Sequence, residues 1–233
     1  METGANNYRE AWMRKVVACA FLSLDGVMQA PGGPDEDRDG GFPFGGWTVP
    51  LFDEELGGAI SELYGQPFDL LLGRKTYEIF AAHWPTVGAR GQEMGMDPGE
   101  IALARAINGA VKYVATRSLT SLHWENSQIL VGDVAERVRE LKQGEGPMLL
   151  LQGSSKLVLQ GSSKLAQTLL SAGLVDELKL IIFPVVLGQG KRFFDAQAMP
   201  AEFTRTDVVI SPAGGIAATY RRAGEVRTGS FAL

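Results

Sequence analysis

Apolar runs of strand length alternate with segments of helical period along most of the chain. Continuous apolar, often β-branched residues predict buried strands at positions 15–22, 68–73, 111–116, 148–152 and 177–188. Helices are predicted where apolar residues recur every three to four positions, at 52–63, 75–84, 101–108, 134–142 and 162–173. The pattern then changes, because two strand-like runs at 203–211 and 215–222 around the turn PAGG predict an antiparallel hairpin.

Local capping chemistry marks the start of two predicted helices. Asp97, Pro98 and Glu100 supply a cap, a first-turn proline and an acidic third residue, and Asp133 with Glu136 repeats the capping pattern. Strands that alternate with helices favour a mainly parallel sheet covered on both faces. The sequence therefore predicts an α/β fold, a three-layer sandwich with a mainly parallel central sheet and a C-terminal antiparallel hairpin.

Length and composition limit the number of domains and the classes of partner. The chain has 233 residues, 45% of them hydrophobic, which suits one large domain. Met13 begins a second plausible start, so we expect an N-terminal extension at 1–12 before a single domain at 13–233. The net charge of −5 and the scattered Lys and Arg residues argue against nucleic acid as a partner. No stretch approaches the roughly 20 apolar residues of a membrane span, so we expect a cytoplasmic protein without a membrane partner.

The single cysteine, Cys19, lies in the apolar run VVACAFL and is predicted to be a small buried hydrophobic residue. One cysteine can form neither an intrachain disulfide nor a CxxC metal site, and no metal is expected. A loop at 29–46, rich in glycine, proline and acidic residues, is long for a compact domain and is typical of a segment that covers a site or is disordered.

Three turns that follow predicted strands carry groups suited to an anionic cofactor. In open α/β sheets, ligands bind beyond the carboxyl ends of the strands. Glycine permits close backbone approach, while hydroxyls, guanidinium groups and the free N–H groups of a helix N-terminus bind phosphate. The candidate residues are Gly73, Arg74, Lys75 and Thr76 in the first turn, Thr116, Arg117 and Ser118 in the second, and Gly153 or Gly161 with Ser162 and Ser163 in the third.

The third turn contains a tandem copy, because LQGSSKL begins at Leu151 and again at Leu159. Lengthening the helix by the extra residues would move its start by about 12 Å, too far from the strand that it must meet. Slippage of the strand, with KLVLQ in place of MLLLQ, keeps the even register but exposes residues 148–151. A bulge at 155–161 exposes fewer apolar side chains. The sequence therefore favours MLLLQ as the strand and the second Ser-Ser pair as the helix start, with slippage as the alternative.

Five segments occur in an order and spacing typical of a known family: VVACAFLSLDGVM, LLLGRKTYEIFAAHWP, YVATRSL, QGSSKLAQTLLSAGLVDEL and PVVLGQGKRFF. By these segments the chain resembles the reductase domain of the bifunctional riboflavin-biosynthesis deaminase/reductase, and small stand-alone dihydrofolate-reductase-like proteins. The resemblance covers about residues 14–222. It implies a dihydrofolate-reductase-like fold, NADPH as hydride donor and a homodimer.

The resemblance also implies roles for the three turns. The first turn, with Gly73, Arg74 and Thr76, approaches the cofactor. The second turn binds the adenosine end of the cofactor, and the Gly-Ser-Ser turn binds its pyrophosphate. Further residues are implied to close over the same cleft, namely Gly188, Gly190 and Lys191. The chain departs from the family in two respects, since it lacks the H-x-E and P-C-x-x-C zinc signature of the deaminase half and carries eight additional residues at the third turn.

Candidates for the chemistry and for the substrate site are fewer. Hydride transfer usually needs a proton source, and Asp25 in the turn SLDG is the preferred carboxylate, with turn stabilisation as the alternative role. Asp53, followed by Glu54 and Glu55, starts a helix that in dihydrofolate reductase carries the substrate carboxylate, although complementing the helix dipole is the alternative. Aromatic residues could stack on a flat heterocycle or simply pack, namely Trp47, Phe44 and Trp84. The two histidines are expected to be structural or at the surface, at His83 and His123.

These residues and the resemblance together predict an NADPH-dependent reductase that acts on a small pterin-like, pyrimidine-like or carbonyl-type substrate. Two alternatives stay open. One is a dihydrofolate-reductase-like binding or interaction protein whose cofactor turn the duplication has disabled. The other is a flavin-dependent oxidoreductase that uses the same cleft.

Overall fold

A single mixed sheet forms the centre of the molecule. The computed structural model describes residues 13–153, 162–194 and 198–231. The strands are β1 (Val16–Ser23), β2 (Phe68–Gly73), β3 (Lys112–Ala115), β4 (Ser127–Leu130), β5 (Met148–Gly153), β6 (Glu177–Phe183), β7 (Glu202–Ile210) and β8 (Ile216–Gly224). Their order in the sheet is β4-β3-β2-β5-β1-β6-β8-β7.

Helices cover both faces of this sheet. They are α1 (Glu54–Tyr64), α2 (Arg74–Arg90), α3 (Pro98–Gly109), α4 (Val134–Gln143) and α5 (Ser162–Ser171), with short 3-10 turns at Asp39–Gly41 and Val49–Leu51. Adjacent strands from β4 to β6 pair in parallel, whereas β8 pairs antiparallel with both β6 and β7. The predicted three-layer sandwich with a C-terminal antiparallel hairpin is therefore confirmed.

Each face of the sheet has its own apolar core. One core joins alternate residues of the central strands to α1, α2 and α3, and the other joins the opposite residues to α4 and α5. Every residue of β1 and β2 is buried, as expected for strands covered on both faces. Cys19 is 2% exposed within the first core, as predicted, and burial raises the pKa of its thiol to about 12 against the attraction of Lys179.

Both predicted helix caps are confirmed. The Asp97 carboxylate accepts a hydrogen bond from the N–H of Gly99 at 2.7 Å, and the Asp133 carboxylate accepts one from Glu136 at 2.9 Å. Capping depends on residues a few positions apart, which is why the sequence alone locates it.

Two predicted boundaries were wrong, and one strand was missed. The strand β4 was missed, because its four residues at the edge of the sheet are too short and too polar to give a periodic signal. The strand predicted at 177–188 ends at Phe183, since Pro184 has no N–H for the ladder and the N–H of Val185 donates back to Phe183. The helix predicted at 75–84 continues through Pro85 to Arg90, because Trp84 and Val87 are buried against the core.

The duplicated phrase divides between a strand and a helix. The strand β5 ends at Gly153 in the first copy, and α5 begins at Ser162 in the second. MLLLQ as the strand and the second Ser-Ser pair as the helix start are thus confirmed, and slippage of the strand is wrong. The predicted bulge at 155–161 and the N-terminal extension at 1–12 lie outside the described residues.

No helix within the described residues is both long and apolar enough to span a membrane. The described part of the chain likewise contains no group of three or more His, Cys, Asp and Glu residues that could hold a metal ion.

Candidate functional site

The three candidate turns meet at one edge of the sheet. Gly73, at the end of β2, lies opposite Ala115, at the end of β3. Leu71 lies opposite Leu151, so Gly73 and Gly153 are level two residues further along β2 and β5. The carboxyl ends of three adjacent strands therefore coincide, and each is followed by one of the turns.

The first turn leads directly from β2 into α2. Gly73 caps the helix in an extended conformation, and Thr76 is fully buried in its first turn. Arg74 is half-buried, and its Nη1 lies 2.9 Å from both carboxylate oxygens of Glu78 one helical turn away. Its charge is therefore already balanced by a neighbour on the same helix.

The second turn holds an exposed arginine, Arg117. The Thr116 hydroxyl accepts hydrogen bonds from the N–H groups of Ser118 at 3.2 Å and Leu119 at 3.1 Å, which closes the turn. Arg117 sits at the tip, exposed, and its guanidinium has no hydrogen bond or ion pair with any described residue. The turn thus presents an uncommitted cation beside the α2 N-terminus.

Tyr77 fixes the first turn to the segment that follows the second. Its buried hydroxyl accepts hydrogen bonds from the N–H groups of His123 at 2.9 Å and Trp124 at 3.0 Å. Because Tyr77 lies in the first turn of α2, these bonds hold the helix N-terminus and the β3–β4 connection in one arrangement.

For the third turn, the structure describes the end of the strand before it and the start of the helix after it. Gly153 ends β5, and Ser162 and Ser163 are the first residues of α5. Gly161 lies outside the described residues, so its predicted role in an anion site stays a prediction.

A cleft of ≈ 850 Å³ opens beside this edge of the sheet, on the face covered by α1, α2 and α3. Its walls are largely aromatic and aliphatic. Side chains that line it include Phe21, Phe52, Ile60, Tyr64, Trp84 and Leu103. Burial raises the pKa of Tyr64 well above its ordinary value, so that its phenol stays protonated.

Two residues that line the cleft carry buried polar atoms without a partner among the described residues. They are Oε1 of Gln152 and Nε1 of Trp84, and the two residues are 4% and 2% exposed. Gln152 follows Leu150 by two positions on β5, so both share the sheet face that α1, α2 and α3 cover. An unpartnered buried polar atom costs about 1–3 kcal/mol, which makes these two atoms candidates for ligand contacts.

Two carboxylates line the same cleft. Asp97 and Glu100 belong to the start of α3, and Asp97 is exposed. His83 precedes Trp84 and interacts electrostatically with Glu100, but burial outweighs this attraction and lowers the pKa of His83. The imidazole is therefore neutral at pH 7, and the charge on this side of the cleft is negative.

Asp25 lies outside the described cleft lining and joins two loops. Its carboxylate accepts hydrogen bonds from the N–H groups of Leu187 at 3.1 Å and Gly188 at 2.9 Å, and from the Ser23 hydroxyl at 2.6 Å. Burial works against ionisation, but these hydrogen bonds outweigh it and lower the pKa of Asp25 below its ordinary value of 3.8. This geometry favours the loop-stabilising interpretation over proton donation.

We expect Asp25→Asn to lower the free energy of unfolding by roughly 1–2 kcal/mol at pH 7, because an amide replaces one charged acceptor with a donor facing N–H groups. A carboxylate with a depressed pKa in the folded state stabilises above its ordinary pKa and loses that effect as the pH falls through the folded value. The difference in melting temperature between Asp25→Asn and the parent should thus narrow as the pH falls below 3.8. A difference that does not change with pH would contradict this role.

Some residues predicted to bind the substrate make structural contacts, and one lines the cleft. Asp53 caps α1 through the N–H of Leu56 at 3.1 Å and accepts a hydrogen bond from the Ser211 hydroxyl, which lowers the pKa of Asp53. Trp47 donates from Nε1 to the Gln29 carbonyl at 2.7 Å and packs against Phe183. Of the four predicted residues, Asp53, Trp47, Phe44 and Trp84, Trp84 alone is among the described residues that line the cleft.

The segment with the glycines implied to close over the cofactor cleft contacts the turn after β1 and the long loop. Gly188 donates its N–H to Asp25, and Gly190, at φ +121°, lies where a Cβ would be 2.7 Å from Cγ1 of Val27. Lys191 forms ion pairs with Asp37 at 3.2 Å and Asp39 at 2.7 Å. These contacts anchor the segment 29–46.

Sequence reasoning missed Gln152 and the cleft residues of α1 and α3. Gln152 did carry a signal, because a polar residue that ends a run of apolar strand residues stands at a strand's carboxyl end. Ile60 and Leu103 carried none, since an apolar residue that lines a cleft follows the same helical period as one in the core.

A family model described as the RibD C-terminal domain matches residues 14–212. Among curated proteins, the uncharacterized protein YyaP of Bacillus subtilis (strain 168) is 27% identical over 191 residues, which cover 81% of this chain and 83% of that protein.

Solved structures with a similar fold include a protein assigned to riboflavin biosynthesis from Shewanella sp. PV-4, with a TM-score of 0.61, 15% identity, and coverage of 90% of this chain and 99% of that one. A pyrimidine reductase-like protein from Corynebacterium diphtheriae gives a TM-score of 0.51 and 14% identity, covering 91% of this chain and 93% of that one. The diaminohydroxyphosphoribosylaminopyrimidine deaminase/5-amino-6-(5-phosphoribosylamino)uracil reductase from Thermotoga maritima gives 0.52 and 14%, covering 91% of this chain but 57% of that one. At these identities the likeness concerns the fold, and it agrees with the sandwich predicted from the resemblance.

Proposed function

Because the chain belongs to the RibD C-terminal domain family, we propose that it is an NADPH-dependent reductase that transfers a hydride to a small pterin-, pyrimidine- or carbonyl-type substrate. Two proteins of similar fold, a deaminase/uracil reductase and a pyrimidine reductase-like protein, support a reductase-type activity. The proposal also draws on the chemistry of the turns at the sheet edge.

The observation that carries the proposal is the convergence of three turns beside an aromatic cleft. Gly73 and Ala115 lie opposite each other, and Gly153 is level with them. The turns beyond them supply two helix N-termini and the exposed guanidinium of Arg117, which has no partner among the described residues. Such donors match the phosphates of a dinucleotide, so the residues present fit the cofactor.

Each turn has a separate part in holding the cofactor. The free N–H groups at the start of α5, with Ser162 and Ser163, would bind the pyrophosphate. The guanidinium of Arg117, with the hydroxyl of Ser118, would bind the 2′-phosphate that distinguishes NADPH from NADH. NADPH, when bound, supplies the hydride, and the aromatic walls of the cleft orient the acceptor and exclude water.

Titration with NADPH tests the proposal. Enhancement and a blue shift of the nicotinamide fluorescence, saturating at micromolar cofactor, is the expected result, and a reductase screen followed at the NADPH absorbance band would then identify the substrate. Unchanged NADPH fluorescence would instead favour the binding protein with a disabled cofactor turn. A purified protein with flavin absorbance would favour the flavin-dependent alternative. The homodimer and the cytoplasmic location stay predictions.

Deleting Leu151–Val158 is expected to preserve the fold and to leave NADPH binding equal or tighter. The second copy then supplies the same Leu, Gln and Gly to the end of β5, and Ser162 follows the glycine directly, as Arg74 follows Gly73 between β2 and α2. Shortening the connection between β5 and α5 by eight residues lowers the entropy cost of closing it by about 1 kcal/mol. Thermal melting and NADPH titration of the deletion variant check this result.

A control variant replaces residues 154–161 with eight alternating Gly and Ser residues. It keeps the length of the connection between β5 and α5 but removes the copied sequence. If the length of this connection alone affects NADPH binding, the control variant should bind NADPH as tightly as the parent. A deletion variant that melts several degrees lower, and sediments as a monomer where the parent is a dimer, would contradict the prediction and make the additional copy a structural element.

A further inference from the structure

A second cavity, of ≈ 360 Å³, lies on the opposite face of the sheet from the aromatic cleft. Its lining includes Leu170, Val175 and Phe203, which belong to or pack against the core under α4 and α5. Val175 precedes β6, and Arg222 lies near the end of the antiparallel β8, so the cavity is at the amino end of β6, away from the three turns. We propose that this cavity binds a small carboxylate with an apolar body, and that the carboxylate pairs with Arg222. The inference goes beyond the proposed function, because the cavity shares no described lining residue with the cleft.

The walls of the second cavity are apolar. Apart from Arg222, every described residue that lines it is an aliphatic residue, phenylalanine, methionine or proline. Three of the large apolar side chains in this lining are exposed, namely Phe194 at 41%, Met199 at 58% and Val226 at 53%. Exposed apolar side chains that share one concave surface indicate a binding site, whereas scattered ones need no partner. An apolar ligand body would cover these side chains.

Arg222 is the one charged residue among the described lining residues. It is half-buried, and its guanidinium has no hydrogen bond or ion pair with any described residue. The guanidinium lies against Gly173, just after α5, where a Cβ would be 2.8 Å from Nη1 of Arg222. The N–H of Arg222 donates to the Asp176 carbonyl at 2.9 Å, which fixes its backbone. A partly desolvated cation without a counterion favours the binding of an anion.

Acidic residues close to Arg222 in the sheet are already paired. Asp176, whose carbonyl accepts the N–H of Arg222, forms an ion pair with Lys142 through its carboxylate. Glu202, at the start of the β7 strand that pairs with β8, forms an ion pair with Arg227. The described residues therefore supply no carboxylate to Arg222, and we expect a ligand to supply it.

Size and charge together define the class of ligand. Small-molecule sites usually measure about 300–1,000 Å³, so a cavity of ≈ 360 Å³ suits a small ligand. A guanidinium binds the two oxygens of a carboxylate in parallel, and apolar walls favour a hydrocarbon body over a polar one. A medium-chain carboxylate such as octanoate has both features.

Four matched probes test the two parts of this site. Octanoate carries the tail and a negative charge, octanol the same tail without charge, octylammonium the tail with a positive charge, and acetate the negative charge without the tail. Isothermal titration calorimetry of the full chain, with each probe below its micelle concentration, measures the four dissociation constants. The value for octanoate should be at least tenfold lower than each of the others, as a charge-assisted contact predicts.

Arg222→Met assigns the preference for the anion to one residue. The variant keeps an apolar side chain in the cavity lining and should reduce the preference for octanoate over octanol to about twofold. Its melting temperature without ligand should equal the parent's, because the guanidinium has no partner to lose among the described residues.

Arg221→Met is the matched control. Arg221 is the neighbouring residue of β8, points to the other face of the sheet and pairs with Glu177 at 3.3 Å. Its replacement changes the net charge by the same amount as Arg222→Met. The dissociation constant for octanoate should stay within twofold of the parent's.

Met199→Glu places a carboxylate at the cavity within the chain itself. Because Met199 is exposed, the substitution should preserve the fold. The new carboxylate competes with octanoate for Arg222 and should weaken octanoate binding at least tenfold, but octanol binding less than threefold. Met199→Gln has the same size without the charge and should weaken both probes equally, by less than threefold.

Equal binding of octanoate and octanol to the parent would overturn the inference, and so would an unchanged preference for octanoate in Arg222→Met. The alternative occupant of the cavity is a second copy of the chain. A parent that sediments as a dimer, binds no octanoate and becomes monomeric in Met199→Glu would assign the cavity to an interface between copies and overturn the ligand site. None of these outcomes depends on NADPH, so the cofactor titration tests the proposed function separately.

Discussion

Arg14→Met is expected to lower the free energy of unfolding by about 3–5 kcal/mol, the usual effect of removing one partner from a buried ion pair. The Arg14 guanidinium forms an ion pair with Asp69, and the two side chains are 4% and 9% exposed. The variant would leave the Asp69 carboxylate buried, and the N–H of Val111, at 3.0 Å, would be its one remaining hydrogen-bond donor among the described residues. At roughly 2–4 °C per kcal/mol for a chain of this size, the melting temperature should fall by about 10 °C.

The same guanidinium joins four segments at the amino ends of the strands. Its Nε donates to the Pro147 carbonyl at 2.7 Å, and its Nη1 approaches the Tyr113 hydroxyl at 3.4 Å. Arg14 precedes β1, Asp69 lies on β2, Tyr113 on β3, and Pro147 precedes β5. Its loss therefore affects the alignment of the strands whose carboxyl ends form the candidate site.

Denaturant titration of three variants checks this prediction. Lys15→Met removes the next cation along the chain, whose ion pair with Glu177 is largely exposed, and should cost less than 1 kcal/mol. Arg14→Met combined with Asp69→Leu should recover part of the loss, because it removes both charges. A single Arg14→Met variant within 1 kcal/mol of the parent would contradict the assigned role.

Arg117→Ala is expected to weaken NADPH binding by about 10- to 150-fold and NADH binding by less than threefold. A charge-assisted contact to the 2′-phosphate contributes about 1.5–3 kcal/mol, and NADH lacks that group. Arg117 is the stronger candidate of the two turn arginines, because it has no partner among the described residues, whereas Arg74 is paired with Glu78. Fluorescence titration with each cofactor measures both losses.

Arg205→Ala provides the matched control for this prediction. Arg205 is exposed on β7, the edge strand on the side of the sheet away from β3. Its replacement by alanine changes the net charge by the same amount as Arg117→Ala. Its NADPH dissociation constant should stay within twofold of the parent's. If Arg117→Ala weakened the binding of NADPH and NADH equally, the second turn would not bind the 2′-phosphate.

Local patterns in the sequence determined most of the fold and the position of the turns. The caps at Asp97 and Asp133 depend on residues two or three positions away. The continuous apolar runs of β1 and β2 predict that both strands are buried on both faces. The even spacing of the repeat, together with the cost of exposing Met148–Leu151, was enough to place β5 and the start of α5. These features depend on neighbours in the chain, which a sequence displays directly.

Tertiary structure alone decided which polar residues are structural and which face the cleft. Asp25 gained its partners at Leu187 and Gly188, and Asp53 gained Ser211, each about 160 positions away. Gln152 and Trp84 became candidate ligand contacts because packing buried their polar atoms without supplying partners. The physical reason is that a carboxylate or an amide has the same local sequence whether its partner is a distant backbone N–H or a ligand, so only the contacts formed on folding distinguish the two.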